Sequence, residues 1–101
     1  MRFLMTVKCP VEQFNTLVRN GTAGEKINNI LETTKPDAVY FTEQNGQRTV
    51  FIVADLADAS KVPTMAEPWY LNFNAQVEFH VAMTPDDLRR GNLESLGKKW
   101  G

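Results

Sequence analysis

The sequence predicts an α+β domain built on one four-stranded antiparallel sheet. Along the chain, apolar residues switch between alternation and helical spacing in the order strand, helix, strand, strand, helix, strand. Asn45-Gly46 separates the two middle strand-like segments, and this pair tolerates the positive φ angles of a type I′ hairpin turn. With 101 residues, 43% hydrophobic and 23% charged, the chain has the size and composition of one globular domain rather than a disordered segment.

The elements follow in order. Phe3, Met5 and Val7 alternate with Arg2, Leu4, Thr6 and Lys8, which predicts a first strand. Pro10 suits the start of a helix, and Val11, Phe14, Leu17 and Val18 follow at helical spacing. Asn20-Gly21-Thr22-Ala23-Gly24 interrupts that helix and restarts it, with Thr22 and Glu25 spaced for a capping box. Ile27, Ile30 and Leu31 form the buried stripe up to Lys35, where Pro36 stops the helix. Ala38–Glu43 and Arg48–Leu56 are the strands of the hairpin. Asp58 opens a second helical region in which Val62, Met65, Ala66 and Trp69 share a face, and Pro63 restarts it. Phe73–Met83 is the expected last strand, with Val77, Phe79, Val81 and Met83 on one side. Thr84-Pro85-Asp86-Asp87 begins a C-terminal helix whose Leu93, Leu96 and Trp100 form a docking stripe.

This β-α-β-β-α-β order is the ferredoxin-like arrangement, expected as a single domain over residues 1–101 with both main helices on one face of the sheet. Such a sheet should have one apolar and one polar face, yet Val50-Phe51-Ile52-Val53-Ala54 is apolar on both. With Leu4 and with Val39 or Tyr40, the second face carries more exposed apolar surface than a monomer usually tolerates. Packing of that face against a second copy, giving a two-fold homodimer, is the favoured solution. Folding of the C-terminal helix back over the sheet competes with it.

Element order and length make the chain resemble the dimeric α/β-barrel superfamily, whose sheets pair into a barrel. The stretches from Phe14-Asn15-Thr16 to Gly21-Thr22-Ala23-Gly24, and Ala66-Glu67-Pro68-Trp69-Tyr70, look like those of small bacterial proteins in that group. Characterised members include cofactor-free monooxygenases, lactone isomerases, polyketide cyclases and haem-dependent enzymes. The resemblance implies a small-molecule cavity between sheet and helices or near the barrel mouth, and names no reaction.

Glu78 and His80 lie two apart on one strand, so both project to the same side, opposite Val77, Phe79 and Val81. A carboxylate beside an imidazole fixes its tautomer and suits it to general-base work; the same pair also serves as an interface ion pair completed by Arg2 or Lys8. Tyr40, with His80 and Glu78, completes the candidate catalytic set. Tyr70, Trp69 and Phe73 are candidate walls for a planar ligand, although Trp69 also sits at core spacing, and Glu67-Pro68-Trp69-Tyr70 is expected to end the helix near the cavity mouth. Arg19 with Thr22 at a helix N-terminus is a generic anion-binding geometry, and not a P-loop. Cys9 beside Lys8 at a helix start has the setting of an activated thiol, but free Cys is more often buried and inert.

Eleven basic against twelve acidic side chains leave a formal charge of −1, which removes the electrostatic footprint of a nucleic-acid binder. The RNA-recognition motif shares the element order, but Arg48-Thr49-Val50-Phe51-Ile52-Val53 lacks its glycine and second aromatic. One Cys and one His exclude a disulfide framework and a conventional structural zinc site, and favour a reducing, cytoplasmic setting. No bound metal or cofactor is called for, and no run approaches the ~20 apolar residues that cross a bilayer. The function expected is that of a small-molecule-handling dimer, either a cofactor-independent monooxygenase, isomerase or cyclase-like enzyme, or a non-catalytic ligand-binding or regulatory dimer.

Overall fold

Phe3, Met5 and Val7 alternate along β1 (Arg2–Lys8) because successive side chains of a strand point to opposite faces, and they form the apolar spine of the sheet. The computed structural model describes every residue from Met1 to Gly101. β1 pairs antiparallel with β3 (Gln47–Asp55) on one side and β4 (Gln76–Val81) on the other, and β3 pairs with β2 (Ala38–Gln44). The order β2-β3-β1-β4, with every neighbour antiparallel, is compatible with the ferredoxin-like arrangement. Register places Met5 between Ile52 and Phe79, and Val7 between Val50 and Val77. These side chains face α1 (Val11–Arg19), α2 (Ala23–Thr34) and α3 (Val62–Phe73), meeting Leu17, Ile30, Met65, Trp69 and Phe73 in one core.

Local chemistry sets the boundaries. Gly21 has φ 78°, which breaks the helix between α1 and α2, and Lys35 (φ 45°) ends α2 one residue before Pro36. Asn45 and Gly46 turn the β2–β3 hairpin with φ of 54° and 78°, and the Glu43 carboxylate accepts the Gly46 N–H at 2.9 Å. Asp58 caps a short 3₁₀ turn (Ala59–Lys61) that leads directly into α3.

Four sequence expectations need correction. Thr22 and Glu25 form no capping box: the Thr22 hydroxyl donates to Asn20 Oδ1 at 2.6 Å, and no side chain caps α2. Phe73 belongs to the end of α3 rather than to the last strand, because Asn74 takes a left-handed conformation (φ 52°) and delays β4 to Gln76. Glu67-Pro68-Trp69-Tyr70 therefore lies within α3 and does not end it. Lastly, the C-terminal segment is two helices, α4 (Pro85–Arg90) and α5 (Leu93–Trp100), divided at Gly91 and the left-handed Asn92 (φ 56°).

Neither C-terminal helix docks. No residue of α4 or α5 is buried, and Leu93, Leu96 and Trp100 are 60%, 46% and 77% exposed. The molecule is accordingly long, 59 × 29 × 19 Å, and the open face of the sheet is not covered from within the chain.

Candidate functional site

Antiparallel register builds two rows of side chains across the open face of the sheet. Glu78, Thr6, Phe51 and Tyr40 form the first, one from each strand. His80, Leu4, Val53 and Ala38 form the second beside it. Phe51, Val53 and Leu4 make an apolar floor, with Thr6 buried among its neighbours and Tyr40 66% exposed at the far edge. Glu78 Oε2 lies 3.5 Å from His80 Nε2, both side chains well exposed to solvent. The pair expected from the two-residue spacing is thus present.

Tyr40 is not part of that contact. It sits three strands from Glu78, about 14 Å away at the ~4.8 Å spacing of neighbouring strands, so one copy of the chain does not bring it to the imidazole. Arg2 does not complete the pair either, since its guanidinium reaches Asp55 at 3.1 Å and Asp37 at 3.7 Å.

The remaining candidates lie on the helical side of the sheet. Trp69 and Phe73 are core residues, 1% and 0% exposed. Their rings lie 5.6 Å apart, and Phe73 stacks on Phe14 at 5.2 Å, beneath the Arg48 guanidinium. Tyr70 is partly exposed on α3, on the far side of the sheet from His80. Thr22 lines a polar groove of about 280 Å³ with Glu25, Lys26, Asn29 and Asn72, in which Lys26 Nζ donates to Asn72 Oδ1 at 3.3 Å. Arg19 is exposed and does not line that groove. No group of His, Cys, Asp and Glu side chains stands close enough together to hold a metal ion.

Cys9 is fully buried, and burial pushes its thiol up from 9.0 to about 11, against the opposing pull of Arg48. A thiol so placed is neutral and unreactive at physiological pH. The folded form holds its proton between about pH 9 and pH 11 while the unfolded form releases it, so Cys9 makes stability fall as pH rises through that window. The expected loss is on the order of 2 kcal/mol by pH 11 relative to Cys9→Ala, read by urea unfolding of both proteins from pH 8 to 11.

Sequence pattern alone marks neither Thr6 nor an apolar cleft of about 260 Å³ lined by Met1, Phe3, Leu56, Ala59 and Val62 together with Asp58. Thr6 was recoverable from register, which places it opposite both Glu78 and Phe51. The cleft joins the chain start to the entry of α3, and no local pattern announces it. No protein-family model matches the chain, and no curated protein is significantly similar to it. Fold and open face together define a small α+β domain with a four-stranded antiparallel sheet, one side of which is left without helices. No helix is long and apolar enough to cross a membrane.

Proposed function

We propose that the chain is a small-molecule-handling homodimer of the α/β-barrel kind, in which two open sheet faces pack together and enclose a site walled by Glu78 and His80. The observation that supports it best is the 3.5 Å Glu78–His80 contact on an otherwise largely apolar sheet face that no helix covers. In water a Glu–His pair is one weak surface contact. Enclosed by a second sheet, the same carboxylate orients the imidazole and strengthens it as a general base toward a bound acidic C–H or O–H. Thr6 offers a hydroxyl beside Glu78, and Phe51 offers a flat apolar surface for a planar ligand. Tyr40 enters such a site from the partner sheet or lines its mouth. Cofactor-independent proton transfer, as in isomerases and cyclases, is the chemistry that these groups supply.

Native mass spectrometry on protein purified gently from its own host tests both halves of the reading. The expected species has twice the 11.4 kDa mass of one chain and carries a defined additional mass. His80→Ala should keep the dimer and lose the bound compound or its turnover by at least about tenfold, as for a removed general base. A dimer that both holds and turns over the same compound equally well without His80 assigns the pair a purely structural role.

A further inference from the structure

Two unpartnered surfaces in this molecule complement each other. The first is the arm formed by α4 and α5. Its Leu93, Leu96 and Trp100 lie on one side of α5, at helical spacing, and are exposed together with Leu88, Val81 and Met83. None of these side chains has a covering partner within the chain. The second is the apolar cleft of Met1, Phe3, Leu56 and Val62. At about 260 Å³ it is smaller than ordinary ligand pockets and suits one large side chain.

Charge matches as well as shape. Lys98 and Lys99 directly precede Trp100, with Lys99 Nζ 5.3 Å from the indole centroid. Asp58 stands at the rim of the cleft, and hydrogen bonds from the Ser60 hydroxyl and N–H hold its carboxyl below the usual range and so keep it anionic. The arm does not turn back toward its own cleft. Ala82 N–H still donates to the Arg2 carbonyl at 2.9 Å, and the reciprocal Thr84–Asp87 capping box then fixes the direction in which α4 leaves the sheet. Val81 pairs with Phe3, so the arm departs beside the cleft, yet none of its residues lines the cleft or is buried against the rest of the chain.

We propose that two copies exchange these arms: Trp100 of one copy seats between Met1, Phe3, Leu56 and Val62 of the other, with Lys98 and Lys99 against Asp58. The proposal rests on the self-association proposed above and adds a second contact to it, remote from the Glu78–His80 pair. The exchange buries Trp100, the end of the stripe that the sequence marks for docking, and by two-fold symmetry it does so twice.

Disulfide trapping tests it. Ala59→Cys and Gly101→Cys are made as separate chains, since Cys9 is buried and silent, then mixed and oxidised with glutathione disulfide. The expected product is a linked pair containing one chain of each kind, and Trp100→Ala should weaken self-association by about thirtyfold or more, as for a central interface aromatic. A dimer that forms without the cross-link overturns arm exchange and leaves the sheet-to-sheet reading standing. An intrachain link in the doubly substituted chain, at dilutions where it is monomeric, also overturns exchange, because the arm then docks on its own cleft. A chain that stays monomeric at every concentration overturns both proposals.

Discussion

Replacing Trp69 with alanine is expected to cost about 3–5 kcal/mol of folding stability, a large share of the ~5–15 kcal/mol that holds a domain of this size together. Trp69 is 1% exposed and lies on the stripe of α3 that meets the sheet. Its ring packs on Phe73, which stacks in turn on Phe14 of α1, so one side chain ties two helices to the strands. Truncation removes the transfer free energy of the indole and leaves a void that its rigid neighbours fill only in part. Urea unfolding followed by circular dichroism measures the loss. Trp69→Phe should recover part of it, whereas Trp100→Ala, at 77% exposure, should leave the unfolding of the isolated chain within about 0.5 kcal/mol. The comparison also decides between two roles for Trp69. A ligand wall would show reduced binding at nearly unchanged stability; a core residue shows the reverse.

What the sequence disclosed and what it concealed divide along the range of the physics involved. Alternation of Phe3, Met5 and Val7 and the Asn45-Gly46 turn are local, and each is found where it was expected. Thr84 with Asp87 is equally local, and the cap forms with both reciprocal hydrogen bonds. Thr22 has the same nominal spacing to Glu25, but Asn20 two residues earlier offers its hydroxyl a nearer acceptor, so the local rule lost to a competing local contact. Phe73 was misplaced because apolar character suits a helix end and a strand start equally well, and only the left-handed Asn74 separates them. For the site, the two-residue spacing of Glu78 and His80 sufficed to place them together. Tyr40 joins them by chemistry alone, and the sheet keeps it at its other edge; Tyr70, expected as a ligand wall, lies on the other side of the sheet. The apolar cleft needed residues from Met1 and Val62 at once, a contact that no periodicity encodes.

A carboxylate placed in the middle of the open face is expected to separate the proposed dimer without harming the fold. Phe51 stands on β3, flanked by Thr6 on β1 and Tyr40 on β2, and its side chain points away from the helices. In the isolated chain Phe51→Glu exchanges a partly buried ring for a group that water can reach and solvate, so the unfolding midpoint should fall only modestly while the fold persists. In a sheet-to-sheet dimer the same carboxylate is buried without a partner, at a cost of several kcal/mol. Two-fold symmetry introduces it in both copies, so the penalty falls twice on one interface. A penalty of about 4 kcal/mol already raises the dissociation constant roughly a thousandfold. Sedimentation equilibrium should therefore show wild-type dimer and Phe51→Glu monomer at the same micromolar concentration. The site would fail with the interface: with the second sheet gone, water surrounds Glu78 and His80, and their pairing falls back to that of an exposed contact. Should Phe51→Glu remain dimeric with wild-type affinity, the open face is not the interface, and a site enclosed between two sheets has no walls.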